Sequence, residues 1–278
     1  MLHSERFVDV APAQVHATLL DEEKYLCGVR TMYRILDSAK EVRERRNQLR
    51  HPEYAKPELL ATRPNEVWSW DLTKLPGPRK WTSYHLYVLL DILSRYAVGW
   101  MVAERESGAL AKRLITETCE KEGVEPGELT LHSDRGPSMT SQTVTQLHAQ
   151  LGLTKSLSRP HVSNDNPFSE SQFKTLKYRP SFPERFGCLE DARAFCREFF
   201  TWYNTVHRHS GIGYMTPAAV HHGDADELTR TRRRVLLDAY RRHPERFVNK
   251  TPEPPALPTA AWINPPAECR FHDTDEGH

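Results

Sequence analysis

The sequence predicts an α/β protein: a mixed sheet of three antiparallel strands and then alternating strands and helices, with a helical segment before it and a proline-rich tail after it. Three observations carry this prediction. Aromatic and β-branched runs recur between residues 67 and 103, helix-like and strand-like patterns alternate from 107 to 158, and prolines cluster at 51–65 and beyond 251. A chain of 278 residues suits one large domain with appendages. Its 38% hydrophobic and 9% aromatic content excludes a disordered polymer. The longest apolar stretches, such as His85 to Leu93, fall well short of the ~18 residues of a membrane span, and the first ten residues, MLHSERFVDV, hold no signal-peptide core. Five cysteines without a CxxC pair encode neither a disulfide framework nor a zinc knuckle, which points to a reduced, cytoplasmic protein.

Taken in order, residues 12–20 read as a short helix opened by Pro12. Val29, Met32, Tyr33 and Leu36 repeat at i, i+3, i+4, i+7 on a second helix, with Gly28 punctuating the gap. Arg30, Thr31 and Arg34 lie opposite that stripe, so the pair fits either a helix-turn-helix that enters a major groove or a plain helical hairpin. The stretch HPEYAKPELLATRPN (51–65) reads as a linker. Strands are expected at Val67–Leu72, Tyr84–Leu90 and Tyr96–Ala103, then a helix at Ser107–Glu122, a strand at Leu129–His132, a helix at Ser141–Leu151 and a strand at Thr154–Ser158. This order is the ribonuclease H-like arrangement, with helices on both faces of a mixed sheet. Helices follow at Phe168–Tyr178, Leu189–Val206 and Leu228–Tyr240. The proline-rich stretch beyond Thr251 is expected to be extended or mobile and to form no core element. The resulting division is a helix-turn-helix segment at 1–50, a linker at 51–65, a core at 66–222, and a basic helix with its tail at 223–278.

Three carboxylates stand out by context. Asp71 follows the aromatic strand VWSW, Asp134 follows a short apolar strand in LTLHSDRG, and Glu170 lies one turn into a helix that Asn166 can cap and Pro167 can start. Strand ends and a helix start can converge at one sheet edge. Three converging acids repel unless cations neutralise them, which implies two Mg²⁺ or Mn²⁺ ions, the usual device for phosphodiester displacement. Glu170, Lys174 and Lys177 share one helix face, where two ammonium groups suit either surface ion pairs or a passing phosphate backbone. Arg159 and His161, just before that helix, line either a DNA path or a solvated loop. Asp91 is read as pairing with Arg95 or another polar neighbour rather than as a fourth ligand, and Asp165 as stabilising the helix start. The net charge of +1 hides asymmetry: Arg30–Arg50 holds seven basic against three acidic residues, Leu228–Lys250 eight against two, and Thr251–His278 one against five. Two basic blocks raise the prospect of a polyanionic partner.

The motifs WSWDLTKL, LLDILSRYAVGW, LHSDRGPSMTS, SRPHVSNDNPFSESQFKTLKYRP and WYNTVHRHSGIGYMTPAAV resemble the catalytic core of retroviral-integrase-like DDE transposases. The likeness is to the bacterial insertion-sequence family that joins two overlapping reading frames, as its second-frame product. YLCGVRTMYRIL followed by EVRERR is similar to that family's helix-turn-helix, and HPERFVNKTPEPPALPTAAWINPP to its C-terminal end. The resemblance implies a transposase, a polynucleotidyl transferase, with a triad at Asp71, Asp134 and Glu170 and a transposon-end contact at Lys177. It further implies Mg²⁺-dependent cleavage and strand transfer by water and then a DNA 3′-hydroxyl. The implied partners are transposon ends, target DNA, further copies of the chain and the first-frame product, in the bacterial cytoplasm at the nucleoid. No zinc and no membrane are expected. Two other readings are a non-catalytic DNA-binding regulator of the same element and a simple ribonuclease H-like nuclease.

Overall fold

The computed structural model describes residues 1–2, 4, 6–7, 10–39, 56–160, 162, 165–248 and 250–266. The chain divides into two compact units, Met1–Tyr54 and Ala55–His278. In the first, α1 (Pro12–Asp21) and α2 (Val29–Ser38) enclose a small cluster of Phe7, Val15, Leu19 and Met32. The expected stripe on α2 is only partly covered: Met32 is buried, but Tyr33 stands 44% exposed. Two ten-residue helices shield one narrow seam and leave the flanks of the apolar face in water.

The second unit is built on a five-stranded sheet of β2 (Val67–Pro76), β3 (Ser83–Asp91), β4 (Ala97–Ala103), β5 (Thr130–Ser133) and β6 (Thr154–Leu157), ordered β4-β3-β2-β5-β6. The first three pair antiparallel, whereas β2–β5 and β5–β6 are parallel. With helices on both faces this is the ribonuclease H-like topology. Being central, β2 is buried on both sides, so its aromatic run does not alternate in exposure. Trp68 and Trp70 face α3 (Gly108–Glu122) and α4 (Gln142–Leu151), together with Tyr87, Leu89, Leu114, Ile115 and Leu147. Each buried indole contributes about 4–6 kcal/mol of gross hydrophobic stabilisation. The opposite face, carrying Leu75, Leu86, Val88 and Leu90, packs on α5 (Pro167–Lys177) and α6 (Leu189–Thr205) through Phe173, Leu176, Phe199 and Tyr203. Period-2 alternation therefore puts Ser69, Asp71 and Thr73 on the α5 face.

Two segments differ from the sequence expectation. Within the stretch read as a linker, Leu59–Ala61 forms β1, and within the proline-rich tail Ala261–Ile263 forms β7, the two pairing antiparallel with Leu60 opposite Trp262. Ala61 and Ile263 are both 0% exposed and join Val67, Ile92 and Leu93 in a separate apolar cluster. Prolines flank this ribbon rather than interrupt it, so each three-residue strand keeps its backbone donors. Between Thr251 and Ala260 the chain has no helix or strand, as its composition suggests. After α7 (Pro217–His221), α8 (Ala225–Arg242) is long and buries only Ala225. Among the described residues no helix is long and apolar enough to cross a membrane.

Candidate active site

Parallel pairing of β2 with β5 sets the site. Trp70 is in register with Ser133, the last residue of β5, so Asp134 leaves β5 beside Asp71, which lies within the longer β2. Glu170 reaches the same region because the start of α5 is tied to β2. The Ser69 hydroxyl bonds the carbonyl oxygen of the Asn166 side chain and the Ser169 hydroxyl, all three buried. Ser69 precedes Asp71 by one period of the strand, and Ser169 directly precedes Glu170. Asn166 does occupy the N-cap position but makes no side-chain cap, since its oxygen is taken by Ser69.

Burial, together with the neighbouring charges of Asp134 and Glu170, pushes the Asp71 carboxyl up to about 7, while a hydrogen bond from Leu72 N to Oδ1 (2.7 Å) and the nearby Lys177 act in the opposite direction. Lys177 donates to Thr73 Oγ1 at 2.6 Å, which holds its ammonium group one strand period beyond Asp71. Asp134 is fixed by Ser158, whose hydroxyl donates to Oδ1 at 2.6 Å. Behind it, the buried His132 places Nε2 2.8 Å from the Asp165 carbonyl and Nδ1 3.0 Å from Ser156 Oγ. Burial lowers the pKa of this imidazole, so it is neutral, donates from Nε2 and accepts at Nδ1. Among the described residues, no group of three or more His, Cys, Asp and Glu is gathered closely enough to hold a metal ion. Asp134 and Glu170 lie near enough to Asp71 to raise its carboxyl, and each aspartate accepts one hydrogen bond.

Asp71 and Asp134 line an open groove of about 650 Å³ whose rim includes Glu106, Arg135, Met139 and Arg159. Glu106 holds the loop after Asp134 by accepting from Ser138 N at 3.1 Å. Arg159 lines the groove, yet its guanidinium is committed to the buried Asp165, with Nε to Oδ2 at 2.9 Å and Nη2 to Oδ1 at 3.0 Å. That pairing, with Arg159 N and Asn264 Nδ2 also donating, lowers the Asp165 carboxyl to about 2. Asp165 therefore clamps the preceding loop to the residue after β7. Asp91 is fully buried and accepts from Asn65 N, Ser94 N and Ser94 Oγ; a polar neighbour satisfies it, but Arg95 instead lies over the Phe168 ring at 4.1 Å. Lys174 is exposed on α5. In the first unit, Arg30, Thr31 and Arg34 line a shallow hollow on α2, and His161 lies outside the described residues. Sequence reasoning missed Ser69, Ser158 and Glu106. The only signal for Ser69 is a small hydroxyl residue between two tryptophans.

Residues 61–163 and 151–217 match two family models, each described as an integrase core domain. A transposase for insertion sequence element IS904 of Lactococcus lactis is 35% identical over 158 residues, 56% of this chain and 61% of that protein. Transposase InsF for insertion sequence IS3A of Escherichia coli is 29% identical over 161 residues, 58% of this chain and 55% of that protein. The chain thus spans less than two thirds of the length of these curated relatives. Among solved structures, the HTLV-2 integrase catalytic core in complex with magnesium aligns with 58% of this chain and 98% of that one, at 17% identity and a TM-score of 0.44. Residues 61–163 and 151–217 are thus each similar to an integrase core domain, and over 158–161 residues the chain is similar to transposases of bacterial insertion sequences.

Proposed function

We propose that the protein is a transposase that cuts and joins DNA, with Asp71, Asp134 and Glu170 as its catalytic carboxylates. The observation that carries this reading is the β2–β5 register that seats Asp71 beside Asp134, with Glu170 close enough to raise the Asp71 carboxyl. The donor set suits hard divalent cations: it offers only oxygen, carries excess negative charge, and leaves Asp71 Oδ2, Asp134 Oδ2 and both Glu170 oxygens without a hydrogen bond among the described residues. Two Mg²⁺ or Mn²⁺ ions held there would supply an activated oxygen nucleophile and stabilise the departing oxygen of a phosphodiester.

The chain's own residues orient and align. Ser158 and the neutral His132 behind it hold Asp134, and the Ser69 ties hold Glu170 against β2. Lys177, steadied by Thr73, offers an ammonium to a phosphate of the transposon end, and Lys174 extends that charge along α5. Arg30, Thr31 and Arg34 on α2 are assigned to duplex binding, with multimers of the chain joining two DNA ends and the first-frame product as a further partner. The test is incubation with a labelled element end and Mg²⁺, comparing the parent with Glu170→Gln. The expected result is nicking and joining by the parent alone, with both proteins binding the end; cleavage by Glu170→Gln overturns the assignment.

A further inference from the structure

The turn between β2 and β3, Gly77 to Thr82, presents Trp81 to solvent with 91% of its surface exposed. This is a built feature. Gly77 N donates to Thr82 O at 2.9 Å, Thr82 N donates to Arg79 O at 3.0 Å, and the Thr82 hydroxyl both accepts from Arg79 N and donates to Arg79 O. Closure is tight enough that a Cβ on Gly77 would meet Thr82 Oγ1 at 2.5 Å. Within this frame Trp81 holds a left-handed backbone, φ +73°, a conformation that bulky residues rarely adopt. The loop therefore keeps a large apolar ring in water at some cost, where folding alone would bury it or use a smaller residue.

The surroundings specify what the ring fits. Lys80 Nζ lies 5.3 Å from the centre of one face, which leaves the other face open. Arg79 precedes it, the sequence Pro76 to Thr82 contains no acid, and Arg185 donates to the Gly77 carbonyl at 3.3 Å. Among the described residues no ion pair engages Lys74, Arg79 or Lys80. An open indole face among uncompensated cations matches a polyanion whose bases are unpaired, because stacking needs a free π face and the phosphates need the cations. From Asp71 to Pro76, just before the turn, the strand advances about 17 Å. Lys177 and Arg185 lie beside that path.

We propose that the 77–82 loop is a second DNA contact, in which Trp81 stacks on an unpaired base on the strand leading away from the cleaved phosphodiester. The position relative to cleavage rests on the proposed catalytic site; the stacking contact does not. The test uses the full chain in EDTA, so that no cleavage occurs, and measures binding by fluorescence anisotropy. The probes are a blunt duplex of about 30 base pairs, the same duplex with about six unpaired nucleotides at one end, and single-stranded oligo(dT). Trp81→Ala is expected to weaken binding to the tailed and single-stranded probes by about tenfold and to the blunt duplex by less than about twofold. Trp81→Phe, which keeps a ring, should stay within about threefold of the parent on every probe. Equal loss on all probes, or no loss on any, overturns the proposal. So does a loss of self-association in sedimentation with DNA binding intact, which would assign the ring to a second copy of the chain. Because binding is read without metal, failure of Mg²⁺-dependent nicking sinks the proposed catalytic chemistry separately from this contact.

Discussion

Asp71 and Asp91 lie on neighbouring strands of one sheet, and burial raises the pKa of both, but the two regions solve the problem of a buried acid in opposite ways. At the β3–β4 turn Asp91 receives three hydrogen bonds, from Asn65 N at 2.8 Å, Ser94 N at 2.7 Å and Ser94 Oγ at 2.6 Å. At the β2–β5 edge Asp71 receives one, from Leu72 N, and faces two further carboxylates. A buried acid with its donors supplied locks a turn; one left short of donors and crowded by like charge has oxygen to offer a ligand.

The sharpest way to break this comparison is Asp71→Asn, expected to lower Mg²⁺-dependent cleavage about a thousandfold, corresponding to about 4 kcal/mol of lost transition-state stabilisation. Binding to the same DNA in gel shift should persist; cleavage near the parent rate would remove Asp71 from the site. Asp91→Ala should do the reverse. Stranding three donors costs about 3 kcal/mol in urea unfolding, with cleavage per folded molecule unchanged. If its cleavage falls as far as that of Asp71→Asn, the distinction between the two acids fails.

Asp165 extends the comparison to an acid stabilised by a cation. Its folded pKa, about 2, lies below the usual 3.8, so its pairing stabilises the protein above about pH 4 and that contribution is lost as pH falls through about 2. Asp165→Asn should be about 2 kcal/mol less stable at neutral pH and should lose less of its remaining stability between pH 4 and pH 2. Parallel acid profiles for the two proteins would refute this pairing as an acid-sensitive one. The smallest effect is expected at Ser158. Ser158→Ala frees one Asp134 oxygen and should slow cleavage about tenfold without shifting the melting temperature, whereas Ser158→Thr restores the hydroxyl and most of the rate. Equal rates for the parent and Ser158→Ala would make that bond incidental.

Much of the sheet was legible because period-2 alternation and turn residues are local signals. Val67–Leu72, Tyr84–Leu90 and Tyr96–Ala103 each fall within an observed strand or overlap one closely. Asp71, Asp134 and Glu170, the proposed carboxylates, stand out in context because each lies in or just after an element whose type the sequence reveals. The side chains that hold them do not. Ser69 meets Ser169 across 100 residues, and Ser158 meets Asp134 across 24, and no periodicity links such pairs. The β1–β7 ribbon was hidden for the same reason: two three-residue strands among prolines carry no pattern until they are seen together. Asp165 is expected to stabilise the start of α5; its partners Arg159 and Asn264, the latter 99 residues away, could not be read from the sequence.

That ribbon has a consequence for the order in which the domain can be completed. Synthesis proceeds from the N-terminus, so β1 emerges early and must wait for β7, and Asp165, which emerges later, waits for Asn264 over a shorter stretch of chain. The roughly forty residues between His222 and Asn264 take about 2–8 s to translate at 5–20 residues per second. Throughout that interval Ala61, Val67 and Ile92 lack their last apolar covering, so a ribosome-bound chain already holding every proposed catalytic carboxylate is still an unfinished domain.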